Sequence, residues 1–156
     1  EEERGEEGEA SGAESTFVSM SPGEFGMTVE QEAEFVEECR SAENCLYLVA
    51  RSEDQLVGGL HFGAKNRRRV RHVGEFGMSV RKEFWGQVIG AATLGLLNEW
   101  GRLSGVVTKI NLRVRTDNAR AIGLYESRGF EREGTIRRDF MVDGEYFDHH
   151  LMGLIV

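Results

Sequence analysis

The chain is poor in residues that staple or rigidify a fold. It has one proline, Pro22, and two cysteines, Cys39 and Cys45, among 156 residues. Two cysteines do not make the disulfide framework of a small secreted domain, so we predict that both are reduced and lie in or beside the core. No apolar run approaches the roughly 18 residues of a membrane-spanning helix, and no signal-peptide pattern opens the sequence. These absences predict a cytoplasmic protein without a membrane partner.

Excess positive charge is also missing. The formal net charge is −8, but residues 1–14 hold seven Glu and one Arg, which leaves a charge of about −2 for the other residues. We predict that this acidic segment, 1–14, is disordered or loosely helical. Residues 15–156 have the length of a single domain and mix both signs of charge. The absence of a basic face argues against nucleic-acid binding.

The most informative stretch joins a β-rich run to a helical one. Residues 72–80 read as a strand, a glycine-flanked loop follows, and apolar residues then recur with helical spacing as far as Trp100. Such a loop directs several backbone N–H groups toward one point, where the helix N-terminus adds a partial positive charge. The stretch therefore suits a phosphate or pyrophosphate. An ordinary turn between a strand and a helix has the same pattern, so both interpretations stay open.

Local signals divide the rest of the chain into alternating elements. Thr28 and Gln31 have the spacing of a capping box, Gly101 is placed to stop a helix, and Asp143-Gly144 is a two-residue hairpin signal. The predicted helices cover 29–40, 86–101 and 118–129, and the predicted strands cover 46–51, 56–62, 72–80, 106–114, 130–142 and 145–156. This order predicts a mixed α/β fold with helices on both faces of one sheet and a parallel crossover. The apolar last strand is compatible with covered core or with pairing across a homodimer.

A second motif runs from Asn118 to Phe130 and reads N-x-x-A-I-x-L-Y-E-x-x-G-F. It resembles the second signature of the GNAT superfamily of acyl-CoA-dependent N-acetyltransferases, and residues 78–91 resemble that family's acetyl-CoA pyrophosphate loop. The resemblance covers residues 15–156. It implies an α/β (α+β) fold whose mixed, mostly antiparallel sheet contains a splayed parallel strand pair that holds acetyl-CoA. The implied reaction moves an acetyl group from acetyl-CoA to a primary amine of a small molecule or peptide.

The resemblance also implies which residues bind acetyl-CoA. They are the backbone groups at the end of the strand and in the loop, together with a side-chain amide that is alternatively a plain helix cap. The residues are Met78, Ser79, Val80, Gly86, Gln87, Val88, Ile89, Gly90, Ala91 and Asn118. The loop departs from the family pattern Q/R-x-x-G-x-G/A, because Trp85 holds the first position and Val88 the position of the first glycine. Valine is tolerated there if its φ is helical and strongly disfavoured if its φ is positive.

Two residues are candidates for catalysis. Glu75 is a carboxylate in a strand expected to be central, flanked by Gly74 and Gly77, and burying it is costly unless it is paired or functional. An amine attacks only when it is neutral, so Glu75 is the candidate base. The alternative is an ion pair with an arginine such as Arg71. Tyr125 matches the family tyrosine that faces the sulfur of CoA, which implies a proton donor, and the alternative is an aromatic core residue.

The histidines predict no metal site. His61, His72, His149 and His150 lack metal-ligand spacing, and the last two point to opposite faces of a strand. No metal cofactor is therefore expected, and one of these histidines, or Asp148, is a candidate to line the acceptor pocket. The alternative to an enzyme is a non-catalytic protein with the GNAT fold, which binds CoA weakly or not at all and acts through protein partners.

Overall fold

The computed structural model describes residues 28–86 and 88–156. The predicted acidic segment at 1–14, the first part of the predicted domain at 15–27 and Gln87 lie outside the described residues. The described residues form three α-helices, a short 3₁₀ helix and six strands. They are α1 (Val29–Ser41), β1 (Cys45–Ser52), β2 (Gln55–Ala64), β3 (Val73–Val80), the 3₁₀ helix (Lys82–Phe84), α2 (Ile89–Leu103), β4 (Lys109–Arg115), α3 (Ala119–Ser127), β5 (Glu131–Val142) and β6 (Glu145–Ile155). None of the described helices is long and apolar enough to cross a membrane.

The six strands form one sheet in the order β1-β2-β3-β4-β6-β5. Every neighbouring pair is antiparallel except β3 and β4. These two parallel strands pair only at their first residues, through Val73–Lys109, Gly74–Ile110 and Glu75–Asn111, and then separate. The predicted mixed, mostly antiparallel sheet with one splayed parallel pair is therefore confirmed.

Alternating side chains of β2 show that helices cover both faces of the sheet. Phe62 is fully buried and its ring lies 5.4 Å from that of Trp100 on α2. His61, which points to the opposite face, lies 4.8 Å from the ring of Phe35 on α1. The main core therefore lies between the sheet and α2, where Leu94 and Leu97 are fully buried.

Two local signals formed as expected. Thr28 Oγ1 accepts from the backbone N–H of Gln31 at 3.3 Å, and Gln31 Oε1 accepts from the backbone N–H of Thr28 at 2.9 Å, which is a complete capping box. The hairpin between β5 and β6 turns at Asp143 and Gly144, whose φ angles are 50° and 83°. Both signals act over two to four residues, so they do not depend on the rest of the fold.

The limits of α2 differ from the prediction. The helix begins at Ile89 rather than 86, because the 3₁₀ helix and Gly86, with a φ of +80°, intervene. It continues through Gly101 to Leu103. A Cβ at Gly101 would lie 3.1 Å from Ile110 Cδ1, so this glycine permits close packing on β4 and does not stop the helix.

The prediction that both cysteines are reduced is wrong in this structure. Cys39 Sγ and Cys45 Sγ form a disulfide across the turn from α1 to β1, with the Cα atoms 5.0 Å apart. The predicted places of the cysteines, at the end of a helix and the start of a strand, are confirmed. Their pairing was not foreseen because it depends on how sharply the chain turns at residues 42–44.

Candidate active site

After Glu75 and Asn111 the parallel strands β3 and β4 separate and leave a gap between them. Backbone groups of β3 line one side of this gap. The N–H of Arg81 donates to Val57 O on β2 at 2.9 Å, and successive residues of a strand direct their backbone groups to alternate sides. Met78 and Val80 therefore direct theirs toward β4, at the level where β4 has already diverged. By the same alternation Ser79 directs its groups to β2, so a backbone contact of Ser79 with acetyl-CoA lacks this support.

The loop after β3 folds back on the end of the strand. Trp85 Nε1 donates to Val80 O at 2.6 Å, and Gly86 adopts the positive φ that glycine tolerates best. Val88 has a φ of −68° and a ψ of −5°, and its side chain is 79% exposed. Valine therefore sits in the helical region, where its side chain carries no backbone strain.

Helix α2 begins without a side-chain cap. The side chain of the preceding Val88 has no acceptor atom, and no acidic side chain lies among the described residues of the first turn. Ala92 makes the first helical hydrogen bond, to Val88 O at 2.8 Å. The backbone N–H groups of residues 89–91 therefore lack an acceptor within the helix. An anion bound at this point would accept hydrogen bonds from those N–H groups and would be stabilised by the helix dipole.

Helix α3 brings Tyr125 against the strand that borders the gap. Its ring packs edge-on against Phe76 of β3 at 5.9 Å and against Phe130 at 6.1 Å between centroids. The side chain is only 8% exposed. Burial raises the pKa of Tyr125 to about 12, so the hydroxyl stays protonated at neutral pH and remains a donor.

Asn118 caps α3. Its Oδ1 accepts from the backbone N–H of Ala121 at 3.2 Å, which confirms the helix-cap alternative. Its Nδ2 has no hydrogen-bond partner among the described residues. That nitrogen can still donate to a carbonyl of acetyl-CoA, so the predicted contact stays a prediction.

Glu75 lies at the last paired position of β3 and β4. Its Oε1 is 3.2 Å from Nε of Arg113, and both side chains are about half exposed, at 49% and 47%. The predicted alternative, an ion pair with an arginine, is confirmed with a different partner, because Arg71 instead pairs with Glu43 at 2.8 Å. A Cβ at Gly77 would meet nothing within 4 Å, so open space adjoins Glu75 along its face of the strand.

The other flanking glycine does not open such space. A Cβ at Gly74 would collide with the ring of Phe62, so Gly74 serves core packing. Glu75 and Gly77 share one face of β3, whereas Phe76, which contacts Tyr125, points to the other. The carboxylate and the phenol therefore border the splayed strands from opposite faces of the sheet.

The chain matches the acetyltransferase (GNAT) family over residues 15–130. It belongs to that family. It is 33% identical over 112 residues to the L-amino acid N-acetyltransferase AaaT of Escherichia coli (strain K12), a match that covers 69% of this chain and 67% of the relative. It is 37% identical over 98 residues to the N-alpha-acetyltransferase RimI of Mycobacterium tuberculosis (strain ATCC 25618 / H37Rv), which covers 63% of this chain and 60% of RimI.

Solved structures agree with this assignment. The GNAT-family acetyltransferase of Streptococcus pneumoniae superimposes with a TM-score of 0.92 at 28% identity, covering 98% of this chain and 93% of that one. The fold is also that of yncA from Salmonella typhimurium, solved with its cofactor acetyl-CoA, with a TM-score of 0.80 at 19% identity over 97% of this chain and 86% of yncA. The predicted family resemblance is confirmed.

The sequence prediction missed a chain of polar contacts in this GNAT protein. Arg113, which holds Glu75, also lies 3.4 Å from Asp139 Oδ2, and the same oxygen lies 3.0 Å from His149 Nδ1. The alternation of polar and apolar residues along β4 was the sequence signal that could have placed Arg113 on the polar face of the sheet. The partners of Arg113 come from β3 and β5, so only the order of the strands brings them together.

A second arginine of β4 was also missed. Arg115 is only 5% exposed, donates from Nε and from one terminal nitrogen to the two carboxylate oxygens of Asp117, at 3.0 and 2.6 Å, and lies 3.6 Å from the ring centroid of Phe147. Hydrogen bonding from Arg115 is the main cause that lowers the pKa of Asp117. This buried arginine therefore holds the turn that leads from β4 into α3.

The candidate acceptor residues on β6 have separate partners. His149 contacts Asp139, whereas His150 Nδ1 lies 2.9 Å from Thr135 Oγ1, as expected for side chains on opposite faces. Asp148 Oδ1 accepts from the backbone N–H of Arg138 at 2.8 Å, where β5 is irregular and Arg138 has a φ of 54°. Asp148 therefore supports that irregularity of the strand.

Proposed function

We propose that this GNAT protein transfers the acetyl group of acetyl-CoA to a primary amine, by direct attack of the amine on the thioester. The observation that carries the proposal is the splayed strand pair, at whose open end β3 leads to the uncapped α2 and β4 to α3. The parallel strands stop pairing after Glu75 and Asn111. Ligands of parallel sheets bind where the carboxyl ends of such strands diverge.

The residues at this end fit acetyl-CoA, which would supply an acetyl group already activated as a thioester. The first turn of α2 offers a pyrophosphate N–H groups that have no acceptor within the helix. The helical φ of Val88 is the one at which valine is tolerated in that loop. Met78 and Val80 turn backbone groups toward the gap, although Trp85 already occupies Val80 O.

Glu75 and Tyr125 have complementary tasks in the proposed reaction. Glu75 would accept a proton from the incoming ammonium, either directly or through water, from the face on which Gly77 leaves open space. Tyr125, protonated and buried on the other face, would donate to the departing sulfur. Placing the two on opposite faces lets the amine enter on one side of the thioester while the sulfur leaves on the other.

The ion pair of Glu75 and Arg113 suits a free α-amino acid as acceptor. The two half-exposed side chains present one negative and one positive group 3.2 Å apart at the base of the gap. An α-amino acid carries an ammonium and a carboxylate at a similar spacing. The E. coli relative is an L-amino acid N-acetyltransferase, which supports the same acceptor class, and the M. tuberculosis N-alpha-acetyltransferase RimI supports an α-amine as the acetylated group.

The proposal is tested by following CoA release with a thiol reagent while free amino acids and short peptides are offered as acceptors. For the best acceptor, Glu75→Gln and Tyr125→Phe should each lower kcat by roughly 10²-fold or more, the usual contribution of a proton-transfer group. The KM for acetyl-CoA should change little in Glu75→Gln, because Glu75 lies on the acceptor face.

Matched variants separate chemistry from structural damage. Glu133 is a half-exposed strand carboxylate that pairs with Lys109 at 2.8 Å, so Glu133→Gln breaks a similar ion pair away from the gap. Tyr146 is 51% exposed on β6, so Tyr146→Phe removes a hydroxyl without touching the core. Both controls should keep kcat within about twofold. If the Glu75 and Tyr125 variants also keep full activity, the assigned roles are wrong.

A further inference from the structure

A second cluster of reactive side chains lies away from the gap, between α1 and the first two strands. Cys39 Sγ, Cys45 Sγ and one ring nitrogen of His61 all lie within 4.8 Å of one another. Cys39 is in the last turn of α1, Cys45 opens β1, and His61 is on β2. We propose that, once the disulfide is reduced, these three residues bind one thiophilic divalent cation, with Zn²⁺ as the best match.

The spacing of the ligand atoms suits that ion. A tetrahedral zinc site with Zn–S near 2.3 Å and Zn–N near 2.1 Å places sulfur and nitrogen about 3.6 Å apart and two sulfurs about 3.8 Å apart. Cys45 Sγ and His61 Nε2 are already 3.5 Å apart. The sulfurs of the reduced chain must separate, and rotation about the side-chain bonds achieves this because the Cα atoms stay 5.0 Å apart.

The scaffold holds the three residues independently of the disulfide. Cys45 and His61 lie on neighbouring antiparallel strands, where Cys45 is opposite Gly63 and His61 is opposite Tyr47. The ring of His61 packs edge-on against Phe35 of α1, one helical turn before Cys39. Because the sheet register and this packing place His61, reduction leaves two thiols and an imidazole at the same point.

Access and chemistry are also suitable. Cys39 is 4% exposed, whereas Cys45 and His61 are half-buried, so an ion can approach from the side of β1 and β2. Two thiolates and one imidazole form a donor set that favours zinc over magnesium or calcium. Three protein ligands leave the fourth tetrahedral position to water or to a further donor.

The two states of the cluster exclude each other. The structure holds the disulfide, which a phosphine cleaves by taking up oxygen from water to become the phosphine oxide, while the two sulfurs gain two electrons and two protons. Each thiol then loses its proton when it binds the cation, so ion binding competes with protons and weakens as the pH falls. The disulfide form offers only His61 and should not retain the ion.

The test is a Co²⁺ titration of the whole chain, reduced with a water-soluble phosphine under anaerobic conditions and compared with the oxidised chain. The reduced chain should bind one Co²⁺, with the visible bands of tetrahedral cobalt and a near-ultraviolet thiolate-to-cobalt band, and Zn²⁺ should displace it. The oxidised chain should show neither band. A reduced chain without these bands at millimolar Co²⁺, or an oxidised chain that shows them equally, would overturn the proposal.

Substitutions assign the ligands. Cys45→Ser should remove the charge-transfer band, and His61→Ala should weaken Co²⁺ binding at least about tenfold, because even outer-shell losses cost that much. His72→Ala is the matched control, since His72 is exposed at the other end of the β2–β3 connection, and it should bind as the wild type does. Equal binding by His61→Ala, with its fold verified by circular dichroism, would exclude His61 as a ligand. The comparison of redox states needs no substitution, so it stands even if a variant fails to fold.

Discussion

Gly86 is the position at which the backbone of the candidate acetyl-CoA loop most needs glycine. Its φ is +80°, and a Cβ added there would meet no atom within 4 Å. Gly86→Ala therefore introduces backbone strain without a steric clash. The left-handed region costs an L-residue roughly 1–2 kcal/mol. The variant separates the conformation of the loop from its packing.

The strain introduced by Gly86→Ala can lower the stability of the free protein, its affinity for acetyl-CoA, or both. If the loop keeps its conformation, the free energy of unfolding falls by the whole amount, about 1–2 kcal/mol. If the free loop relaxes, acetyl-CoA must restore the conformation, and its Kd rises by up to about 5–30-fold. The loss of stability and the loss of binding free energy should therefore sum to one value. We would measure the first by urea unfolding and the second by calorimetric titration with acetyl-CoA.

Two control variants make the comparison specific. Gly105 has a φ of +69° and equally open surroundings, but it follows the far end of α2, so Gly105→Ala should lose stability and keep its Kd. Val88 is exposed and helical, so Val88→Ala should change both quantities by less than about 0.5 kcal/mol. The reasoning would be refuted if Gly86→Ala lost neither stability nor affinity for acetyl-CoA. It would also be refuted if Gly105→Ala bound acetyl-CoA more weakly.

Three further expectations concern the stability of the fold. Because burial raises the pKa of Tyr125 from 10.0 to about 12, the native state retains this proton longer than the unfolded chain does. The stability that this proton contributes is complete below pH 10 and falls by up to roughly 2–3 kcal/mol as the pH rises to 12. In urea unfolding, Tyr125→Phe should lack this part of the decline in the free energy of unfolding with pH. Asn118→Ala should lose about 1 kcal/mol with the cap of α3, whereas its effect on the Kd of acetyl-CoA, measured by calorimetry, tests the predicted contact of Nδ2. Leu97→Ala should cost about 2–5 kcal/mol by urea unfolding, since Leu97 is fully buried, and a loss below 1 kcal/mol would contradict its place in the core.

The family signature carried most of what could be predicted about the candidate site. The motif from Asn118 to Phe130 located a short helix and the tyrosine on it, and both lie as expected. Whether the loop after β3 can bind acetyl-CoA was harder to predict, because Val88 is tolerated there only if its φ is helical and not if it is positive. Sequence left that choice open, since φ at this residue depends on where the preceding 3₁₀ helix and Gly86 direct the chain.

The ion pair of Glu75 shows why partners are harder to predict than elements. The sequence analysis allowed an ion pair between Glu75 and an arginine, but several arginines were plausible partners. Arg113 is the partner because β4 lies next to β3 in the sheet, and Arg71 is occupied by Glu43 at the far end of β3. The neighbour of a strand is decided by the packing of the whole sheet.

What the sequence by itself determined is local: the capping box at Thr28, the turn at Asp143-Gly144 and the alternation of faces along each strand. These features follow from dihedral preferences and hydrogen bonds within a few residues, so the chain specifies them without help from distant contacts. Only the tertiary structure decided that Cys39 joins Cys45 beside His61 and that Glu75 meets Arg113. Those contacts join separate elements, and their geometry exists only after the core has set the register of the sheet and the position of each helix on it.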